Sequence, residues 1–505
     1  MSRLSKNVIY NVAGQGIVLL LSLIAVRFIF RRLGDDVFGV IYFNIAMTAL
    51  LVGALELGLS STTVREVSSH FESDRSYVTD LVRTASLLYW CAGLGLLAVI
   101  WVIAPILVGH WINLKAISAD DATTMIRLLS PVTAVALPKV LYTSIFRGRQ
   151  VMGMNNLIDV LTAIAQQAGI VLIIAIGGTV FEVVGWISAS ALLGIVAYIL
   201  LAGRLFGWSA LIPAFKVPVV RRNLRFTGQM MAISVLSLVQ VQADKVVVSK
   251  LLPIAEFGFY GFASTTVSRA AFVTTGVAQA AFPAFSKLYA ARDLVALHRQ
   301  YRKLHDLLCY GTLPLFAMIC FATLPVYSYI FTAGIAQRLV LPTAFLALGS
   351  WMNATLNMPY MVSLAMGKPQ IGVRLNLYAL VAVLPVTVFL IFRFGLPGAG
   401  FSWVFFHLFA FSYFIRRICR ECLEVDYRSW LLHVASVLML GLVAYGPAWL
   451  ILSASGSTSP IAFAVAYLVA SLVFAAGAYL MIGSDLRETI LRIPAGLALT
   501  KGDAL

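Results

Sequence analysis

Polar and apolar positions alternate along the chain in long blocks. Runs of about 20 apolar residues, enough to cross a bilayer as a helix, recur at 8–30, 38–57, 84–109, 125–146, 156–177, 181–203, 226–252, 257–285, 304–332, 338–365, 371–392, 397–416, 430–453 and 460–482. They predict an all-α polytopic membrane protein of about fourteen transmembrane helices. The first run follows Arg3 and Lys6, exceeds a signal-peptide core in length and ends near Arg27, Arg31 and Arg32, so it reads as a retained first span.

The polar segments between the runs set the orientation. With the N-terminus in the cytoplasm, 26 of the 37 basic residues fall on inside segments and six on outside loops. Such a bias, repeated at nearly every loop, is the positive-inside signature. It predicts a multi-pass protein of the cytoplasmic (inner) membrane with both termini cytoplasmic. The longest outside loop, near His110–Thr124, has no room for a folded catalytic domain.

The spans also repeat. Phe38-Gly39 and Phe257-Gly258 each follow the first span of a set, 219 residues apart. Gly148 and Gly367, followed by Arg149 and Lys368, keep the same offset; Asn156 and Asn376 are 220 apart, and Trp186 and Trp403 are 217 apart. Six spans is an even number, so both units enter from the same side. This predicts two six-helix lobes in parallel repeat about an axis along the membrane normal, plus two C-terminal helices. The expected boundaries are 1–206 for the N-lobe, 207–223 for a basic cytoplasmic linker, 224–424 for the C-lobe, and 425–505 for helices thirteen and fourteen with a cytoplasmic tail.

Several spans carry polar stripes at helical spacing, about 100° per residue. Ser234, Ser237, Gln240, Asp244 and Lys245 share one arc of span seven. Thr265, Ser268, Arg269, Thr275 and Gln279 share one of span eight. Asn7, Asn11, Gln15 and Ser22 align in span one, Asn155, Asp159, Thr162 and Gln166 in span five, and Ser350, Asn353, Asn357 and Tyr360 in span ten. Such faces can line a wet cavity, and the same residue types also bind helices to one another.

Charges within spans cost a few kcal/mol each on insertion scales, which singles out Arg269, Lys139, Asp244 and Lys245. Arg269 has no acidic residue in its own span, so an anionic substrate group or Asp244 could be its partner. Asp244 and Lys245 either contact a substrate or ion, or neutralise each other. Lys139, after Pro138, either lines the cavity or snorkels to the interface. Arg27 reads as snorkelling outward, and Glu56 and Asp159 as caps or partners of the basic loops near inner helix ends. The cavity candidates are therefore Arg269, Lys245, Asp244, Lys139, Gln240, Gln279, Asn11, Gln15, Asn353 and Asn357.

Composition agrees with this picture. The chain is 61% hydrophobic and only 11% charged, too few charges to cover a water-facing surface. A net charge of +16 could suggest nucleic acid or anionic lipid, but its distribution makes it a topology signal, and no nucleic-acid partner is expected. Five cysteines suggest no disulfide framework, and Cys419-x-x-Cys422 lacks the second pair of a zinc site. There is no P-loop, Gly-x-Ser-x-Gly or metal-ligand spacing, so no catalytic residue, metal or cofactor is expected. Transport would draw on an ion gradient, on substrate supply and removal, or on a partner ATPase.

Particular segments resemble a family. They are Glu56-Leu-Gly-Leu-Ser-Ser-Thr-Thr-Val-Arg65-Glu66, Gln242-Ala-Asp244-Lys245 with Val246-Val-Val-Ser-Lys-Leu-Leu252, Phe257-Gly-Phe-Tyr260, Phe282-Pro-Ala-Phe-Ser-Lys-Leu288, and Met358-Pro-Tyr360 with Ala365-Met-Gly367-Lys368. In order and spacing they resemble the polysaccharide (Wzx-like) flippases of the multidrug/oligosaccharidyl-lipid/polysaccharide exporter superfamily, over about residues 5–425. The resemblance implies two six-helix lobes in a V that opens to either side in turn. It implies carriage of a lipid-linked oligosaccharide to the outer leaflet, with membrane lipids around it and a polysaccharide polymerase and chain-length regulator as partners. It matches Arg269 to the cationic cavity of relatives that flip peptidoglycan precursor. It makes Asp244 the candidate for a coupling proton or sodium ion. A drug/cation antiporter of the same superfamily would have twelve spans and an acidic cavity. A membrane glycosyltransferase or ligase would need acidic or histidine residues on a sizeable outer loop.

Overall fold

The computed structural model describes residues 18, 20–56, 58–455, 459–483 and 487. The described residues are helical throughout, with one isolated bridge between Asn113 and Pro253. In chain order the helices are α1 (20–33), α2 (Asp35–Leu55), α3 (Leu59–His70), α4 (Arg75–His110), α5 (Ala119–Gly148), α6 (Met152–Ala175), α7 (Val180–Phe206), α8 (Trp208–Leu211), α9 (Val217–Leu251), α10 (Ile254–Ala290), α11 (Leu294–Ile330), α12 (Ala333–Ala365), α13 (Gln370–Phe394), α14 (Leu396–Leu423), α15 (Tyr427–Ala454) and α16 (Pro460–Met481).

Eleven of these, α2, α4–α7 and α11–α16, are long and apolar enough to cross a membrane. With α1, α9 and α10 they make the fourteen expected spans. Short polar residues start seven of the helices. Asp74, Ser118, Asp293, Thr332, Asp426 and Ser459 cap helix N-termini with their side chains. Thr179 and Glu182 form a reciprocal capping box at the start of α7. Large apolar side chains such as Val102, Phe392 and Leu480 remain exposed, as lipid-facing residues do.

Two stretches differ from expectation. The loop after the second span contains α3, whose sequence LSSTTVREVSSH is too polar to register as a span. The stretch 207–223, expected as a linker, is largely helical: α8 fills its start and α9 begins at Val217, with Pro218 in its first turn.

The structure divides into two compact units after Gly261. In the first, α4, α5 and α7 pack around Leu137, Leu141, Ile145, Phe146 and Tyr198, and α9 lies against α2, α3 and α4. In the second, α12 packs against α11 and α14, and α15 and α16 lie on α11. Helix α14 opens into π turns at Phe411–Ile415 and Cys419–Leu423 before Glu424 ends it.

The repeat has a physical counterpart inside the first unit. A Cβ on Gly258 would lie 2.7 Å from the Gly39 Cα, so α2 and α10 touch backbone to backbone at equivalent positions. Phe30, Phe38 and Phe259 pack around this crossing, with ring centroids 5.9–6.2 Å apart. The loop between α4 and α5 closes over the same end. Asp36, 2% exposed, accepts the backbone N–H groups of Lys115 and Ala116 at 2.8 and 2.6 Å. Ile254 donates its N–H to the Asn113 carbonyl at 2.9 Å.

Candidate functional site: charged groups within the membrane helices

Asp244 and Lys245 end the polar stripe of α9. Lys245 Nζ lies 3.3 Å from Asp244 Oδ1 and donates to the Val241 carbonyl at 3.1 Å. The other carboxylate oxygen accepts from the Tyr260 hydroxyl at 2.5 Å. Tyr260, on α10, is fully buried beside the Gly39–Gly258 crossing. Both oxygens of Asp244 are thus engaged, and the pair is only 12–19% exposed. A buried carboxylate needs this degree of compensation. Tyr260 was quoted in a motif but carries no charge, so nothing in the sequence marked it as the partner of Asp244.

Lys139 lies on α5 just after Pro138. That proline lacks the N–H which would bond the Ala134 carbonyl. Gly93 of α4 approaches closely enough that a Cβ there would meet the same oxygen at 2.2 Å. The interrupted turn presents Lys139 to α6, where its Nζ lies 2.7 Å from Asp159 Oδ1. The Tyr198 hydroxyl of α7 donates to that oxygen at 3.0 Å. Lys139 and Asp159 are 46% and 39% exposed, which makes this an accessible charge pair. Asp159 therefore pairs with a residue inside the span region, where the sequence suggested a cap or a loop partner.

In the second unit, Asn357 of α12 donates to the buried Thr274 Oγ1 of α10 at 3.2 Å, a helix-binding contact. Asn353 is half-buried. Gln279 and Arg269 are exposed, and Arg269 makes no ion pair among the described residues. In the first unit Gln240 is half-buried. Asn11 and Gln15 lie outside the described residues, as do the side chains of Ser234 and Ser237.

A further polar hub was not weighed in the sequence. Buried Glu66, on α3, accepts from Arg65 Nε at 2.8 Å and from the Tyr77 hydroxyl at 2.9 Å. Asn223 of α9 donates to that hydroxyl at 2.8 Å, and the Arg222 guanidinium lies 4.1 Å above the Tyr77 ring. Burial pushes the Glu66 carboxyl up, but the hydrogen bonds from Arg65 and Tyr77 outweigh it and hold it below the usual 4.5. The Arg65-Glu66 end of the first motif thus ties α3 to α4 and α9.

Eleven helices long and apolar enough to cross a membrane, with ion pairs inside the helical bundle, define a polytopic membrane protein by class. The chain belongs to the family described as polysaccharide biosynthesis protein, which matches residues 4–289. It is 24% identical over 408 residues to a "Putative O-antigen transporter" of Shigella flexneri, covering 79% of this chain and 93% of that one. Its fold is similar to that of the lipid II flippase MurJ in an inward closed conformation, with a TM-score of 0.71 and 14% identity over 94% of this chain and 98% of that one. It is also similar to an inward-facing multidrug resistance MATE family transporter of the MOP superfamily, with a TM-score of 0.65 and 15% identity over 84% and 96% of the two chains. At these identities the structural likeness is one of fold. Family and fold agree with the resemblance read from the motifs.

Proposed function

We propose that the chain flips a lipid-linked oligosaccharide, carried on a polyprenyl diphosphate, from the cytoplasmic to the outer leaflet by alternating access, for surface polysaccharide biosynthesis. Membership of the polysaccharide biosynthesis family carries this reading. The relative from Shigella flexneri, named an O-antigen transporter, and the fold shared with a lipid II flippase support it. The chemistry fits, because exposed Arg269 and Lys139 offer cations to a diphosphate or to acidic sugars. In this reading the protein lies in the inner membrane with both termini cytoplasmic, beside a polymerase and chain-length regulator. A proton or sodium gradient drives the cycle, with Asp244 as the coupling carboxylate.

The MATE-like fold favours a second reading, a cation-coupled antiporter of small molecules. Such an antiporter would have an acidic cavity, whereas the exposed charged candidates here, Arg269 and Lys139, are cations, which weighs against it. A deletion strain separates the two. Flipping predicts loss of surface polymer and accumulation of cytoplasm-facing lipid-linked repeat unit; antiport predicts normal polymer and altered drug sensitivity. Arg269→Ala should abolish export while membrane abundance stays unchanged, and normal polymer from that variant would remove Arg269 from the site.

A further inference from the structure

The contact between α11 and α15 in the second unit holds side chains that flipping does not use. His305 and Cys309 stand one turn apart on α11, and the Cys309 Sγ lies 3.6 Å from both ring nitrogens of His305. His433 comes from α15, and its Nε2 lies 3.0 Å from Asp306 Oδ1. One donor atom from each of His305, Cys309 and His433 falls within 4.8 Å of the others. His305 and Cys309 are buried and His433 is half-buried. A hydrogen bond from the Trp430 Nε1 to the Tyr301 hydroxyl at 3.0 Å, one turn before His305, braces the two helices. The Trp351 Nε1 on the Cys309 carbonyl at 3.0 Å fixes the α11 backbone at the sulfur.

Two imidazoles and a thiol are costly to gather in a membrane helix bundle unless something satisfies them. A tetrahedral zinc has Zn–S of about 2.3 Å and Zn–N of about 2.0 Å, which sets sulfur and nitrogen about 3.6 Å apart. The Cys309 sulfur lies at that distance from the His305 ring but equally from both nitrogens, so the imidazole has to turn about its Cβ–Cγ bond to aim one of them at the metal. The Asp306 carboxylate stands beside His433, close enough to take the hydrogen of Nε2 once the other ring nitrogen binds the metal. We propose that His305, Cys309 and His433 bind one zinc ion, with a water in the fourth position. The ion clamps α15 to α11 and so fastens the two C-terminal helices to the second unit. Mixed imidazole and thiolate donors select zinc over magnesium or calcium. The cysteine binds as thiolate and releases its proton on metal binding.

The test uses the full chain, purified in detergent on a tag without histidine, stripped with chelator, incubated with zinc and desalted. Elemental analysis should find about one zinc per wild-type chain, and less than about a tenth of that in Cys309→Ser and in His433→Asn. Cobalt loading should give a thiolate-to-cobalt charge-transfer band in wild type and in Arg269→Ala, but not in Cys309→Ser. His433→Asn lies at a half-buried position that tolerates a polar residue, so it reads the site even where Cys309→Ser elutes as aggregate. A wild-type chain that keeps no zinc, or a monodisperse His433→Asn that keeps as much as wild type, overturns the site.

Discussion

Gly39→Ala tests the contact on which the repeat turns. A Cβ on Gly39 would lie 2.2 Å from the Ile254 carbonyl oxygen and 2.6 Å from its carbon, where ordinary contact begins at 3.4 Å. Both partners are backbone, so no rotamer can turn aside. Ile254 is also held by its N–H on the Asn113 carbonyl. The helices must part by about 1 Å, an overpacking that costs about 1–3 kcal/mol. Gly53→Ala is a graded control, because its Cβ meets the Leu238 methyls at 2.6 Å and a side-chain tip can move. Gly95→Ala is the opposite control. It sits in α4 with nothing within 4 Å, so it should be neutral or gain up to about 1 kcal/mol from helix propensity. Melting followed by fluorescence-detected gel filtration should rank Gly95→Ala at or above wild type, Gly53→Ala slightly below it, and Gly39→Ala lowest. Gly258→Ala should resemble Gly39→Ala, and the double variant should lose less than the sum, since one separation serves both. Equal melting of Gly39→Ala and Gly95→Ala would refute the close crossing.

Three other perturbations follow from the charge network. Tyr260→Phe removes the hydroxyl on Asp244 and should cost about 2 kcal/mol, as for a bond to a charged acceptor; unchanged melting would mean that water or another donor replaces it. Lys139→Ala should weaken export by leaving Asp159 uncompensated, and adding Asp159→Asn should restore part of it. Because both groups are over a third exposed, their coupling in melting should stay under about 1 kcal/mol, and a double variant no better than Lys139→Ala would deny the pair a role. Glu66 lies on α3, outside the spans, with its carboxyl held below 4.5. The folded state then binds fewer protons than the unfolded chain, so its contribution is full above pH 4.5 and fades as pH falls through the lower folded value. Melting measured over falling pH should show that loss in wild type and less of it in Glu66→Gln; identical pH profiles would contradict the assignment.

The spans were legible because membrane helices announce themselves by uninterrupted apolar length. Phe38-Gly39 and Phe257-Gly258 stood out by their spacing, although nothing in it said that the two glycines touch. Helix α3 was missed because its twelve residues carry no apolar run. The partners of the charges were illegible for a different reason. Asp159 is 20 residues from Lys139, and His433 is 128 from His305, and each pair meets only after separate helices pack. No spacing rule reports a contact made across a bundle. The Trp186 and Trp403 landmarks show the limit from the other side. Each indole covers a glycine, but Trp186 lies on Gly169 of α6 and Trp403 on Gly349 of α12, so equivalent residues pack on different neighbours.

Pairing also redistributes the functional weight among the charged residues. A charge inside a span must be neutralised, wet or used. Lys245 and Tyr260 occupy both oxygens of Asp244, and Asp159 holds Lys139. A coupling ion at Asp244 would compete with Lys245 and with the buried Tyr260 hydroxyl for the carboxylate oxygens. In the proposed transport cycle Lys139 would have two states, bound to Asp159 as in this structure or released to an anion. Arg269 has no such exchange to make. It stands exposed within α10, without an ion-pair partner among the described residues, and an arginine cannot shed its charge. Under the proposed function it is therefore the candidate cation whose cost an anionic substrate would meet most directly.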